Sequence, residues 1–250
     1  MKTKYCILAT GYNCGRHVTR FLFSMQNLNP VEGTEIRVVI INDGSKDNTG
    51  YVLDRADRHF TGTLQIFHES ENKGAAFRRW QYMKTFIQDP ETVVILVGLD
   101  DELLPEAIER IHQEYECGKL MTYGNWVNQR GRGLPSMFPL YFDTITHDNR
   151  DYRKVQYRST APNSFKAKLL TGLCEDDFKI DGKWVETCTE TNLMFCLLEM
   201  CGEDRIGVIQ QPIYLYNEKL PNGSIGRFGA EEKRRILNRF RQREKKPLFG

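Results

Sequence analysis

The stretch Val93-Val94-Ile95-Leu96-Val97-Gly98-Leu99-Asp100-Asp101 runs from an apolar, β-branched segment straight into two adjacent carboxylates, followed by Glu102, Leu103, Leu104 and Pro105. Such a run reads as a strand buried on both faces of a parallel sheet. Ligands of open α/β sheets gather at the carboxyl ends of the strands, which is where this one delivers its acids. Like charges side by side repel, so they persist where a cation sits between them or where they face solvent. Carboxylate oxygens suit hard cations such as Mg²⁺ or Mn²⁺, which in turn grip phosphates. The stretch points to a metal-assisted phosphate site. Its alternative is an acidic N-cap before a helix opened by Pro105.

Working outward, strands and helices alternate. Strands are expected at Tyr5–Thr10, Ile36–Ile41, Leu64–His68, Val93–Leu99 and near Leu120–Trp126. Helical spacing lies between them at Val18–Leu28, Thr49–Phe60, Ala75–Ile87 and Pro105–Tyr115. This β-α-β-α order predicts an α/β fold over residues 1–127, a doubly wound, mostly parallel sheet flanked by helices. Beyond Val127 the rhythm breaks. Gln129–Pro135 is a basic loop, residues 136–163 lack clear periodicity, and Phe165–Leu170 reads as a short helix. Asn192–Met200 reads as a firm helix and Ile206–Tyr216 as extended. Residues 128–226 are therefore expected to form an acceptor-side half of the same domain, with 227–250 a basic helix and tail.

Composition is that of an ordinary globular chain, with 250 residues, 40% hydrophobic and 27% charged, enough to bury a sizeable core. No apolar run reaches the ~20 residues needed to span a bilayer, and Met1-Lys2-Thr3-Lys4 leads into a strand rather than a signal peptide. The seven cysteines form no CxxC pair, which fits reduced thiols in a cytoplasmic protein better than a disulfide or zinc framework. Charge is uneven. Nine Lys/Arg against three Glu from Arg227 onward leave the tail at +6 and the preceding chain at −4. Such a tail suits acidic lipid headgroups at the membrane surface, or nucleic acid. The plainer reading is a solvated helix that packs Ile236, Leu237 and Phe240 on the domain.

Three more loop tips share the edge that carries Asp100. Thr10-Gly11-Tyr12-Asn13 follows the first strand, Asn42-Asp43-Gly44-Ser45 the second, and Asn72-Lys73-Gly74 with Arg79 the third. Each leads into a helix N-terminus, a natural place for anions. An Asp there can accept from a base N–H or a ribose hydroxyl, while Lys73 or Arg79 offsets phosphate charge. Singly these are turns and caps. Their recurrence after consecutive strands is what that account explains poorly.

In this order and spacing, the four motifs resemble those of family 2 glycosyltransferases, inverting GT-A-fold enzymes that use nucleotide-diphosphate sugars. The resemblance covers about the first 127 residues. It implies that Thr10, Tyr12, Asn13 and Asp43 hold the nucleoside, with Asp43 facing the base of what is expected to be a UDP sugar. It implies that Asp100 approaches the ribose or the metal, and that Asp101 is the main protein ligand of Mn²⁺ or Mg²⁺. Asn42 stands where the family often has Asp, and Trp80 where it often has Asn.

Inversion needs a carboxylate that takes the acceptor's proton as its oxygen attacks. Family members carry an acid at a helix start before an apolar run, and Thr189-Glu190-Thr191-Asn192-Leu193 occupies that place. Glu190 is the expected base, although the usual Asp is missing. Asp176-Asp177 is its rival. Helix-start acids also occur simply because they suit the macrodipole.

Rival functions fare less well. A sugar-nucleotide pyrophosphorylase would want a Gly-rich, Arg-containing loop after the first strand, which is absent. A non-catalytic nucleic-acid or membrane-binding module with a decayed sugar-nucleotide pocket sits poorly with intact Asp100, Asp101 and Glu190. The lack of a Gln-x-x-Arg-Trp motif argues against a processive synthase. The acceptor class is left open among glycan, glycolipid, protein and modified nucleic acid.

Overall fold

The computed structural model describes residues 2–58, 60–133, 140–217 and 229–250. The expected rhythm is present as β1 (Thr3–Gly11), α1 (Val18–Gln26), β2 (Thr34–Asn42), α2 (Thr49–Asp57), β3 (Thr63–His68), α3 (Ala75–Phe86) and β4 (Val93–Gly98). Next come β5 (Glu102–Leu103), α4 (Ala107–Glu116), β6 (Met121–Asn128), α5 (Thr144–Asn149) and β7 (Thr160–Lys166). A small hairpin of β8 (Lys179–Ile180) and β9 (Lys183–Trp184) precedes α6 (Thr189–Cys201), β10 (Ile206–Tyr216) and α7 (Ala230–Arg241). The end of the loop expected at Gln129–Pro135, and the expected boundary near residue 227, lie outside the described residues.

Eight strands form one mixed sheet in the order β3-β2-β1-β4-β7-β6-β10-β5. β3, β2, β1 and β4 are mutually parallel, as expected for a doubly wound half. β4 is apolar throughout because it is covered on both faces. Val94 and Leu96 join one core with Cys6 and Leu8 of β1, Trp80 and Met83 of α3, and much of α6. Val93, Ile95 and Val97 join the other with Ile7 and Ala9, Phe21 of α1, and Ile108 and Ile111 of α4. Each fully buried side chain of this size stabilises the fold by ~1.5–3 kcal/mol.

Two expectations need correction. Residues 160–166 form a strand, where a short helix was expected to begin at Phe165, and only Ala167–Gly172 turns as a 3-10 helix. β7 also lies antiparallel between β4 and β6, so β6 is not a direct neighbour of the parallel set. Pro162, Asn163 and Ser164 read locally as loop, yet all three are buried in the sheet. The register slips between Tyr123 and Gly124 opposite Pro162, which suits an imide that cannot donate. A Cβ on Gly124 would stand 2.8 Å from the Pro162 ring, so the site needs glycine. The Ser164 hydroxyl is satisfied by Tyr115 at 2.8 Å and Thr122 at 2.7 Å. Polar residues are tolerated in this core because each finds a partner.

The C-terminal helix packs as the plainer reading required. Ile236 and Phe240 are buried and Leu237 half-buried against the core that holds α6. Beyond it, Arg243 donates to the Asp176 carbonyl, Lys245 to the Asn149 carbonyl, and Lys246 to the Asp177 carboxylate at 2.7 Å. Much of the tail's charge is thus used against the domain itself. Arg153 and Glu199 form a two-contact buried ion pair at 2.7 and 3.0 Å, and Arg153 also donates to the Phe240 carbonyl. No helix among the described residues is long and apolar enough to cross a membrane, and all seven cysteines are free.

Candidate active site

The loop tips after β1, β2 and β3 are tied into one platform. The left-handed Asn13 (φ 56°) donates its N–H to Ser45 Oγ at 2.9 Å, and its Oδ1 accepts from Lys46 N at 2.8 Å. Asp43 is 3% exposed. Its Oδ1 accepts from Arg78 Nε at 2.7 Å and Lys73 N at 3.0 Å, and its Oδ2 from Gly74 N at 2.8 Å. Arg78 also pairs with Glu69 at 2.9 Å. A buried carboxylate this well satisfied is first of all a loop organiser. Lys73 is half-exposed and paired with Glu71 at 2.8 Å. Asn42, the departure from the family pattern, spends its side chain on His68 and on Ser45 N. Trp80, the other departure, is core packed on Phe178 with ring centroids 5.1 Å apart.

A cavity of about 370 Å³ opens at the carboxyl ends of β1 and β4. Thr10, Arg79, Gly98, Asp100, Asp101 and Glu190 line it, together with the 186–191 segment and Tyr214 and Asn217 from the end of β10. Donor-side and base candidates drawn from four separate stretches thus converge. Tyr12, Asn13, Asp43 and Lys73 are not among its lining residues. Nor are Asp176 and Asp177, the latter being engaged by Lys246 and by the Cys174 amide at 2.8 Å.

Asp100 and Asp101 lean over the same spot. A Cβ added to Gly98 would lie 2.6 Å from Asp100 Oδ1 and 2.8 Å from Asp101 Oδ2, so only glycine leaves room for both carboxylates. Asp101 is oriented by the Tyr214 hydroxyl, which donates to Oδ2 at 2.7 Å, and by Asn217 N, which donates to Oδ1 at 2.7 Å. Burial raises the pKa of Asp100, and the nearby Glu190 charge adds to this while Arg79 opposes it. Burial and then the Asp100 charge push Asp101 well above the usual carboxylate range, against the Asn217 and Tyr214 hydrogen bonds. A buried and a half-buried acid side by side, with one raising the other's pKa, are a favourable place for a cation. Among the described residues no group of three or more His, Cys, Asp or Glu could hold a metal ion. The candidate ligands are therefore this pair alone, whose oxygens suit a hard cation such as Mg²⁺ or Mn²⁺.

Glu190, in the first turn of α6, accepts from Arg79 Nη1 at 2.5 Å and from Asn163 Nδ2 at 2.9 Å. Arg79 Nε is buried without a partner among the described residues. The sequence reading missed Asn163, Tyr214 and Asn217. Asn163 and Tyr214 come from strands of the second half, and no local motif marks any of the three.

Residues 6–171 match the family model described as glycosyl transferase family 2. This chain belongs to that family. Over 158 residues it is 22% identical to an uncharacterised glycosyltransferase of Mycoplasma pneumoniae, the MG060 homolog, covering 54% of this chain and 50% of that protein. Among solved structures it is similar to TarS 1–349 of S. aureus in complex with UDP-GlcNAc, with a TM-score of 0.68, 17% identity, and coverage of 96% of this chain and 65% of that one. It is also similar to glucosyl-3-phosphoglycerate synthase of Mycobacterium tuberculosis with Mn²⁺, UDP and glucosyl-3-phosphoglycerate, with a TM-score of 0.59, 12% identity, and coverage of 95% and 76%. A third likeness is to the mannosyltransferase PcManGT of Pyrobaculum calidifontis with GDP-Man and Mn²⁺, at a TM-score of 0.58, 14% identity, and coverage of 89% and 59%. At these identities the likeness shows a shared GT-A fold. The chain spans about half the length of its curated relative and 65% of the TarS chain.

Proposed function

We propose that the chain transfers a sugar from a nucleotide-diphosphate sugar to an acceptor hydroxyl, with inversion at the anomeric carbon and without processivity. The observation that carries this reading is the convergence of Asp100, Asp101, Arg79 and Glu190 on one cavity. Residues 1–127 supply the donor side and residues 128–226 the acceptor side. A UDP sugar is the favoured donor, in keeping with the UDP and UDP-GlcNAc held by two of the similar structures.

In this reading Asp101 and Asp100 hold Mn²⁺ or Mg²⁺, whose chemistry is to neutralise charge on the leaving diphosphate. Thr10 and Tyr12 face the nucleoside, and Asn13, Asp43 and Lys73 shape the loops around it. Arg79, which lines the cavity, supplies a positive charge for the phosphates. The acceptor oxygen attacks the anomeric carbon as the bond to the diphosphate oxygen breaks, and the acceptor's proton passes to Glu190. We assign this work to the cytoplasm, where reduced cysteines are the norm.

The test is a panel of nucleotide sugars assayed for nucleotide release with Mn²⁺, Mg²⁺ or EDTA, followed by an acceptor screen and NMR of the product's anomeric centre. Metal-dependent release from a uridine donor and an inverted product are expected. A retained configuration would overturn the mechanism, and a purine preference would overturn the donor.

A further inference from the structure

We infer that Asn163 is a positioning residue for transfer, orienting the carboxylate of Glu190 through a hydrogen bond from β7 to the first turn of α6; this rests on the reading of Glu190 as the base. Asn163 sits on β7, in register with Leu96 of β4 and Tyr123 of β6, and is 2% exposed. Its amide has one consistent orientation. Ser159 Oγ donates to Asn163 Oδ1 at 3.1 Å, which turns Nδ2 toward Glu190 Oε2 at 2.9 Å. Ser159 is itself 1% exposed, so little solvent competes for the bond.

The two donors on Glu190 differ in kind. Arg79 is a full charge at 2.5 Å that also acts on Asp100 and lines the same cavity. It is suited to serve the donor's phosphates as well as Glu190. Asn163 is neutral, buried and held from behind by Ser159, so it has no competing anionic partner. A neutral donor orients the carboxylate while weakening its basicity less than an ion pair does. Rigid strand-borne support of this kind separates a base that is present from one aimed at the acceptor proton.

The titratable groups around Glu190 are Arg79 from α3, Asp100 and Asp101 after β4, and the neutral phenols of Tyr157 before β7 and Tyr214 from β10. Removing the Asn163 donor leaves them in place and deletes one bond to the ionised form of Glu190.

The experiment compares wild type, Asn163→Ala, Asn163→Asp and Ser159→Ala, each checked for folding by thermal unfolding. UDP release from UDP-GlcNAc and UDP-glucose with Mn²⁺ is followed against donor concentration, so that kcat and KM are read separately. Asn163→Ala is expected to lower kcat by roughly 10- to 100-fold at nearly unchanged donor KM, the range for a misplaced catalytic group. Asn163→Asp should lower kcat further, because a second carboxylate replaces the donor and repels Glu190. Ser159→Ala should give a smaller change of the same sign, and it supplies the reading if neither Asn163 variant folds. A folded Asn163→Ala with wild-type kcat overturns the inference alone. Wild-type turnover by Glu190→Gln overturns the reading beneath it.

Discussion

The guanidinium of Arg79 meets the carboxylate of Glu190, 111 positions on in the chain, at 2.5 Å, with side chains only 8% and 31% exposed. One residue lies in α3, after the β3–α3 loop, and the other in the first turn of the helix of the second half. The ion pair is the seam along which the two halves share one cavity.

The chemical role of Glu190 predicts a clean split between binding and turnover. Glu190→Gln should keep donor and metal affinity and lose ~10²–10⁴-fold in transfer rate. Calorimetry with UDP and Mn²⁺, set beside initial rates, checks both parts. Normal turnover by this variant, with dead Asp176 or Asp177 variants, would move the base to the earlier acidic turn.

For the metal, Asp101→Asn is expected to abolish transfer, a loss of several kcal/mol of charge stabilisation on the diphosphate. The amide keeps one oxygen to accept from Asn217 N, and its NH2 can donate to the Tyr214 hydroxyl in place of the bond received from it, so the fold should survive. Full activity of this variant, or of the wild type in EDTA, would sink the assignment.

Gly98→Ala offers a steric test of the same site. The new methyl would press on Asp100 Oδ1 and Asp101 Oδ2 from one side. Crowding of this type costs ~1–3 kcal/mol, and it should appear mainly as weaker Mn²⁺ dependence. A metal titration of activity identical to the wild type would mean that the two carboxylates do not act together.

Asp43 is predicted to act through stability as well as affinity. Asp43→Ala leaves Arg78 buried with fewer partners, which should cost ~3–5 kcal/mol of unfolding free energy. Nucleotide affinity should fall by ~1–3 kcal/mol as loop groups lose their partners. Denaturant unfolding beside UDP calorimetry separates the two. Unchanged stability would contradict the loop-organising role derived from its three contacts.

How much of this was legible beforehand depended on the range of the interactions. The β-α-β-α half, the buried β4 and the acids at its end follow from local patterns. Alternate residues of Val93–Val97 serve two cores, and only a strand covered on both faces requires that. The helix at Ala230–Arg241 was legible for the same reason, since its few apolar residues recur at helical spacing.

The place of β7 was not legible. Thr160-Ala161-Pro162-Asn163 carries turn residues, and nothing local says that they enter the sheet between β4 and β6. They do so because Glu190, distant in sequence, and Ser159 satisfy the Asn163 amide there, while Tyr115 and Thr122 from other elements satisfy the adjoining Ser164 hydroxyl. The same holds for the duties of the acids. From the chain alone Asp43 and Asp101 are equivalent loop aspartates. Folding gives one an arginine and two loop amides, and turns the other into a cavity beside a second carboxylate. Residue type and period determined the parallel half of the sheet, its loop edge and the acids placed along it. Which acid is neutralised internally and which still seeks a cation was decided by tertiary partners, because a carboxylate's state depends on what desolvates and pairs it, and those groups come from other parts of the chain.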